Sequence, residues 1–334
     1  MFCLFIFFMV LFSKSNMSSS KEGLYLWANT IVPTLLPFFI ATELLSHTFV
    51  VGFLGRILNP VMNPVFNVPG EGAFALIIGI ISGYPTGAKI VSKFYKDKIC
   101  TKIEAERLIA FTNNSGPLFI IGTVGISMFG DTRTGILLLI THILACISVG
   151  ILFRFWKINK EKNVSVLRNK FLINKLENSI SFSNLGEILA SSIMNSINTI
   201  LLIGGFVMLF SVIISMLTRS HILPICAFFL KPILNVFKIN PELSNGIITG
   251  MLELTNGLNS ISHIPIKQLS QSVIIASFLT GFGGLSVLLQ VYSIISKEGL
   301  SIKPYLIGKL LHGIFAAFYT YLFLNFSNFF RLDI

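Results

Sequence analysis

The sequence predicts an all-α polytopic membrane protein made of two structurally similar repeats with broken or re-entrant helices. Three observations carry this. The chain of 334 residues is 53% apolar, with a mean hydropathy of +0.81. Charged residues make up 12%, about half the usual share of a soluble globular domain. The chain also matches itself at a fixed offset, with polar interruptions in corresponding places.

This composition excludes an ordinary soluble enzyme, a disordered protein and a disulfide scaffold. The net charge of +11 reads as the Lys/Arg excess of cytoplasmic loops, not as nucleic-acid binding. Cys3, Cys100, Cys146 and Cys226 have no metal-type spacing and read as lipid- or core-facing thiols. The chain has no phosphate loop, no nucleophile elbow and no His-x-x-x-His pair. No enzyme activity, metal or cofactor is therefore expected.

The elements follow in order. Segment 1–20 holds a short apolar stretch, 2–12, well under the roughly 20 residues a span needs. It lacks the basic start and small-residue cleavage site of a signal peptide. The first repeat, 21–156, opens with an apolar helix over 24–51 that Pro33 and Pro37 interrupt, with Tyr25 and Trp27 as interface anchors. Residues 53–68 are too polar and Pro-broken for a simple span. Stretches 70–92 and 107–129 are apolar with polar breaks inside, and 133–156 is a clean span. The loop 157–182 carries six Lys/Arg against two Glu and reads as cytoplasmic. The second repeat, 183–326, follows the same plan. Stretches 185–217 and 221–239 are apolar, 241–262 and 271–295 are broken, and 305–326 is a clean span; a tail, 327–334, ends the chain.

In the internal match Val65-Phe66 falls on Val236-Phe237, an offset of 171, and Gly79 falls on Gly250. The polar breaks coincide as well: SGYPTG (82–87) falls on ELTNGL (253–258), and NNSG (113–116) on GLSV (284–287). Interrupted helices at matching places in two halves mark secondary transporters. The cause is backbone hydrogen bonding, because a helix breaks at membrane depth only where protein or a water-filled cavity receives the freed groups. Pro85 with Gly83 and Gly87 predicts the first break, Asn256-Gly257 the second, and Gly281, Gly283 and Gly284 a third. If 70–92 and 241–262 cross the membrane, the repeats are parallel; if they turn back as hairpins, the repeats are inverted.

The polar residues at these breaks are the candidate substrate site: Ser82, Tyr84, Thr86, Asn113, Asn114, Ser115, Thr255, Asn256, Ser286 and Gln290. Glu253, deep in an apolar stretch, is the candidate for carrying a coupling Na⁺ or proton, since a carboxylate there costs at least ~2.5 kcal/mol on insertion scales. Lys89 reads as snorkelling, Glu43 as a structural partner, Glu104, Glu106 and Arg107 as a solvated face, and His142 and His312 as packed, hydrogen-bonded side chains. The expected partners are the bilayer and a small anionic substrate; nucleic acid is not among them, and a homo-oligomer is allowed.

GLYLWANTIVPTLLPFFIATELL (23–45), LNPVMNPVFNVPGEGAF (58–74), GIISGYPTGAK (79–89), EAERLIAFTNNSGPLFIIGTV (104–124), LLIGGFVMLFSVI (201–213) and GMLELTNGL (250–258) resemble the YlbJ (SpoVV) family of sporulation membrane proteins. The resemblance runs from about Gly23 to Tyr321. It implies nucleoside-recognition (Gate) domains related to concentrative nucleoside transporters, hence inverted repeats with hairpins. It further implies a role in endospore formation, in the mother-cell membrane around the forespore. There the substrate would be dipicolinic acid, exported from the mother cell toward the forespore, and the spore cortex belongs to the same setting. Dipicolinate is a small planar aromatic dianion. Helix N-termini, hydroxyls and Asn amides suit its carboxylates, and Tyr84 offers a ring for stacking. A nucleoside or other small-metabolite transporter, and a non-transporting sporulation scaffold, are the alternatives.

Overall fold

The computed structural model describes residues 2–48, 50–157, 185–264 and 269–326. The basic loop after Lys157 and the tail 327–334 lie outside them. The described chain is helical, without a strand, and four of its helical stretches are long and apolar enough to cross a membrane: Thr132–Phe153, Leu185–Arg219, Leu269–Glu298, which is interrupted at Gly283-Gly284, and Lys303–Phe326.

An N-terminal arm precedes the repeats: α1 (Phe2–Leu11), α2 (Ser13–Leu26), a π-type turn Trp27–Ile31 and α3 (Val32–Ser46). Pro33 and Pro37 do not break this arm. Pro33 falls where the π-type turn passes into α3; Pro37 is carried inside the helix. The widened turn just before Pro33 absorbs the misfit. The arm packs along α9 (Leu185–Arg219). Trp27, read as an interface anchor, instead donates Nε1–H to the Ile200 carbonyl at 2.8 Å and covers Gly204, where a Cβ would strike the indole.

The two repeats then follow, each with the same order of elements. The first has α4 (Val50–Phe66), α5 (Gly72–Ser82), α6 (Thr86–Lys96), α7 (Lys102–Thr112), a π-type helix Leu118–Met128 and α8 (Thr132–Phe153). The second has α10 (Ile222–Val236), α11 (Ser244–Leu252), α12 (Leu254–Ser262), α13 (Leu269–Phe282), α14 (Gly284–Ile295) and α15 (Lys303–Phe326). Each helix of the first lies within a few residues of its partner at the offset of 171, and Ser148 even touches its equivalent Tyr319, hydroxyl to hydroxyl, at 2.7 Å.

The stretches 70–92 and 241–262 are hairpins. Their arms are nine to eleven residues long, about 14–17 Å, half of the ~30 Å hydrocarbon core. The arms also pack against each other. A Cβ on Gly246 would meet Ile261, and one on Gly257 would meet the backbone of Gly250, so α11 and α12 run antiparallel at near backbone contact. Gly79 and Gly87 play the same part in the first hairpin and leave room for the Thr112 carbonyl between them.

Two buried apolar clusters hold the repeats together by exchange. The cluster around the first hairpin takes Val291, Ile295, Leu300 and Tyr305 from the second repeat. The cluster around the second takes Ile120, Val124, Leu137 and Leu138 from the first. Ile120 and Val291, and Val124 and Ile295, are equivalent positions.

One charged group departs from the sequence expectation. Glu106 and Arg107, read as a solvated face, are completely buried. Arg107 donates to the Trp156 carbonyl at 2.7 and 3.0 Å and to Asn67 O at 2.8 Å; Glu106 accepts from Trp156 Nε1 at 3.0 Å and pairs with Lys157 at 2.7 Å. They tie the N-terminal half of α7 to the end of α8, where carbonyls lack helical partners. Glu104 closes a capping box with Thr101.

Candidate functional site

The two hairpin tips and the two helix breaks come together. Between α5 and α6 the chain leaves helix at Gly83, φ +81°, a conformation glycine adopts freely. A Cβ there would strike Gly116 N, so this tip rests on the break that separates α7 from the π-type helix. The second tip is narrower than predicted. Only Glu253 leaves helical geometry (φ −141°, ψ 121°), whereas Asn256-Gly257, the expected break, lies inside α12. Gly257 serves close helix packing, a use of glycine that looks the same in sequence as a break. The second tip rests on Gly284, which with Gly283 forms the break between α13 and α14, both at positive φ.

The breaks free backbone groups, and side chains from across the molecule take them up. Thr280 O would bond the N–H of residue 284 in a continuous helix; instead it accepts from the Tyr84 hydroxyl at 3.0 Å. Phe111 O, at the end of α7, accepts from Asn114 Nδ2 at 2.9 Å and from Cys146 Sγ at 3.0 Å. Asn113 joins three elements: its Oδ1 accepts from Ala88 N in the first turn of α6 at 3.4 Å, and its Nδ2 donates to the Tyr305 hydroxyl of α15 at 3.0 Å. The Ser115 backbone N–H donates to His142 Nε2 at 3.2 Å, and its hydroxyl lies beside that of Tyr84.

At the centre sits a residue that the sequence reading passed over. Lys309 on α15 is 1% exposed. Its ammonium lies 4.9 Å from the centre of the Tyr84 ring and 3.5 Å from His312 Nδ1. Among the described residues no carboxylate pairs with it. Gly308 brings it there, because that glycine lies against the Ala110 backbone and draws α15 onto the end of α7. His312 in turn donates to the His142 carbonyl at 3.0 Å, and the two imidazoles lie 4.3 Å apart, centre to centre, tilted by 36°. Buried polar atoms near the breaks remain without a partner: Thr86 Oγ1, Thr112 Oγ1, Asn114 Oδ1 and His142 Nδ1.

Of the candidate residues, Tyr84 lies against Lys309, Ser115 meets His142 and Tyr84, Asn113 reaches Tyr305 and Asn114 reaches Cys146, while Thr86 opens α6 beside the first tip. Ser82 is buried and meets Thr42, hydroxyl to hydroxyl, at 3.0 Å, tying α5 to α3. Ser286 and Gln290 are buried one turn apart on α14 and make no hydrogen bond to the Lys309 cluster among the described residues. Thr255 and Asn256 take part through their backbone N–H groups, which donate to Glu253 at 3.0 and 2.8 Å; the Asn256 side chain is exposed. Both oxygens of Glu253 are thereby used as the N-cap of α12. Lys89, read as snorkelling, pairs with Glu43 at 3.4 Å and bonds Thr199 at 3.2 Å. The one sequence signal for Lys309 is a lysine seven residues into an apolar helix with no acidic residue within a turn, followed by His312 on the same face.

Paired hairpins and broken helices around a buried polar centre define a class of membrane proteins. The nucleoside recognition (Gate) family matches residues 28–155 and 200–298, and the chain belongs to that family. A relative, the sporulation integral membrane protein YlbJ of Bacillus subtilis (strain 168), is 36% identical over 317 residues, covering 92% of this chain and 78% of its own length.

Proposed function

We propose that the chain is a secondary transporter of a small organic anion and that Lys309 anchors the substrate. The single observation that carries this is the burial of the Lys309 side chain with no carboxylate beside it among the described residues. A fully buried ammonium without a counter-ion is costly, and this one sits where both hairpin tips and both helix breaks converge. A carboxylate supplies the missing charge. The Thr86 and Thr112 hydroxyls, at the ends of helices that stop at the first tip and break, are buried without a partner and free to donate.

The name of the Bacillus relative supports a role in sporulation. In that setting the substrate is dipicolinate, moved out of the mother cell toward the forespore, and the protein sits in the mother-cell membrane around it. Two carboxylates match one cation plus the unpartnered hydroxyls of Thr86 and Thr112. One face of the Tyr84 ring is already covered by Lys309, so a pyridine ring stacks on the other. The Gate family's description favours a nucleoside as the second candidate, but a nucleoside carries no charge for Lys309 to meet.

The test is transport by the purified full-length protein in proteoliposomes. Labelled dipicolinate is expected to exchange across the membrane, with unlabelled dipicolinate competing and uridine in excess having no effect. Uridine exchange without dipicolinate exchange would assign the site to nucleosides.

A further inference from the structure

The Lys309 ammonium has a neighbour that can take its proton. Hydrogen-bond directions fix both histidine tautomers. The Ser115 N–H donates to His142 Nε2, so that nitrogen is bare and the ring proton is on Nδ1. His312 Nε2 faces the His142 carbonyl oxygen, which only accepts, so His312 carries its proton on Nε2. Its Nδ1 is therefore bare and accepts from Lys309 Nζ at 3.5 Å. A second proton on His312 would set an N–H against the ammonium, and the tilted His142 ring lies 4.3 Å away, centre to centre. Lys309 and His312 thus hold one proton between them.

We propose that this pair is the coupling site and that the substrate anion moves together with a proton. The inference rests on the anion-transporter function proposed above. With an anion bound, the ammonium has its counter-ion and keeps its proton. When the anion leaves, the uncompensated charge is relieved by losing a proton. An N–H bond of Lys309 breaks and one forms at His312 Nδ1, leaving a neutral amine and an imidazolium. The Nδ1 proton then passes to water on the side to which the site is open. Other titratable groups do not displace the pair from this role. Facing it are Tyr84 from the first hairpin, Tyr305 from α15, and His142 and Cys146 from α8. The α13 helix carries no titratable side chain. On α7, Glu106 and Arg107 are held by Trp156, Lys157 and Asn67, and Glu104 by its capping box. Glu253 is occupied as a cap.

Two measurements on the full-length protein test this. In proteoliposomes at clamped potential, wild type is expected to accumulate dipicolinate above equilibration when the outside is the more acidic side, whatever the Na⁺ gradient. Lys309→Arg keeps the charge but cannot release a proton. Whatever reduced counterflow it retains should no longer become accumulation, and His312→Gln should lose accumulation too. Wild-type accumulation that follows Na⁺ at equal pH, or Lys309→Arg accumulating like wild type, overturns the coupling. Failure of dipicolinate to move under any condition overturns the transporter function, and the coupling with it. The second measurement needs no substrate. Histidine ¹⁵N spectra should show His312 as the neutral Nε2–H tautomer, with a Nδ1 resonance that moves in Lys309→Met. Finding His312 as the Nδ1–H tautomer overturns the coupling pair alone.

Discussion

At the scale of single residues, burial decides which charges matter. Lys309 and Arg107 are both buried, but they differ in what surrounds them. Arg107 fills its guanidinium fork with two carbonyls; Lys309 has one imidazole nitrogen and a ring face. Replacing Arg107 with Leu strands the Trp156 and Asn67 carbonyls. At about 1.5–3 kcal/mol for each bond to a charged group, the detergent-solubilised protein should lose several degrees of melting temperature or fail to accumulate. Glu253→Gln keeps one of the two accepting oxygens of the helix cap and should destabilise by about 0.5–1 kcal/mol while leaving proton-driven accumulation in place. Loss of accumulation with normal stability would return the coupling role to Glu253. The sequence showed Glu253 more readily than Lys309 for a physical reason. Glu253 interrupts a broken segment, whereas Lys309 sits in a stretch whose average hydropathy hides one charge. Glu106 and Arg107 misled in the opposite direction: they follow a charged loop, and only the turn of α8 back onto α7 buries them.

At the scale of elements, glycine controls how closely the hairpin arms approach. Gly257 lies against the Gly250 backbone, and Gly205 has open space around it. Gly257→Ala should therefore cost about 1–3 kcal/mol from overpacking, read as a lower melting temperature, and Gly205→Ala should leave it unchanged. Equal effects of the two would mean that the arms of the second hairpin do not touch. The breaks themselves were legible where backbone chemistry forces them, at Gly83-Tyr84-Pro85, at Asn113–Gly116 and at Gly283-Gly284. Asn256-Gly257 was not, because a glycine that permits a bend and one that permits contact read alike. Pro33 and Pro37 look like breakers, yet a widened turn lets the arm run through them.

At the scale of the molecule, the repeats are completed by each other. The offset of 171 was visible in the sequence, but the exchange was not, since periodicity shows which residues are equivalent and not which repeat they pack into. Val291, Ile295, Leu300 and Tyr305 finish the first repeat's core, and Ile120, Val124, Leu137 and Leu138 the second's. Neither half should therefore fold alone. Residues 1–157 and 185–334 expressed separately are expected to aggregate on extraction, and co-expression should recover a monodisperse complex. The exchange also places α15 of the second repeat against the breaks of the first, which is what carries Lys309 into the centre. The most direct test of that centre is dipicolinate counterflow by wild type and Lys309→Met at matched protein levels and matched melting temperature. The expected result is at least a tenfold loss in the variant. Counterflow equal to wild type would contradict an anion site at Lys309.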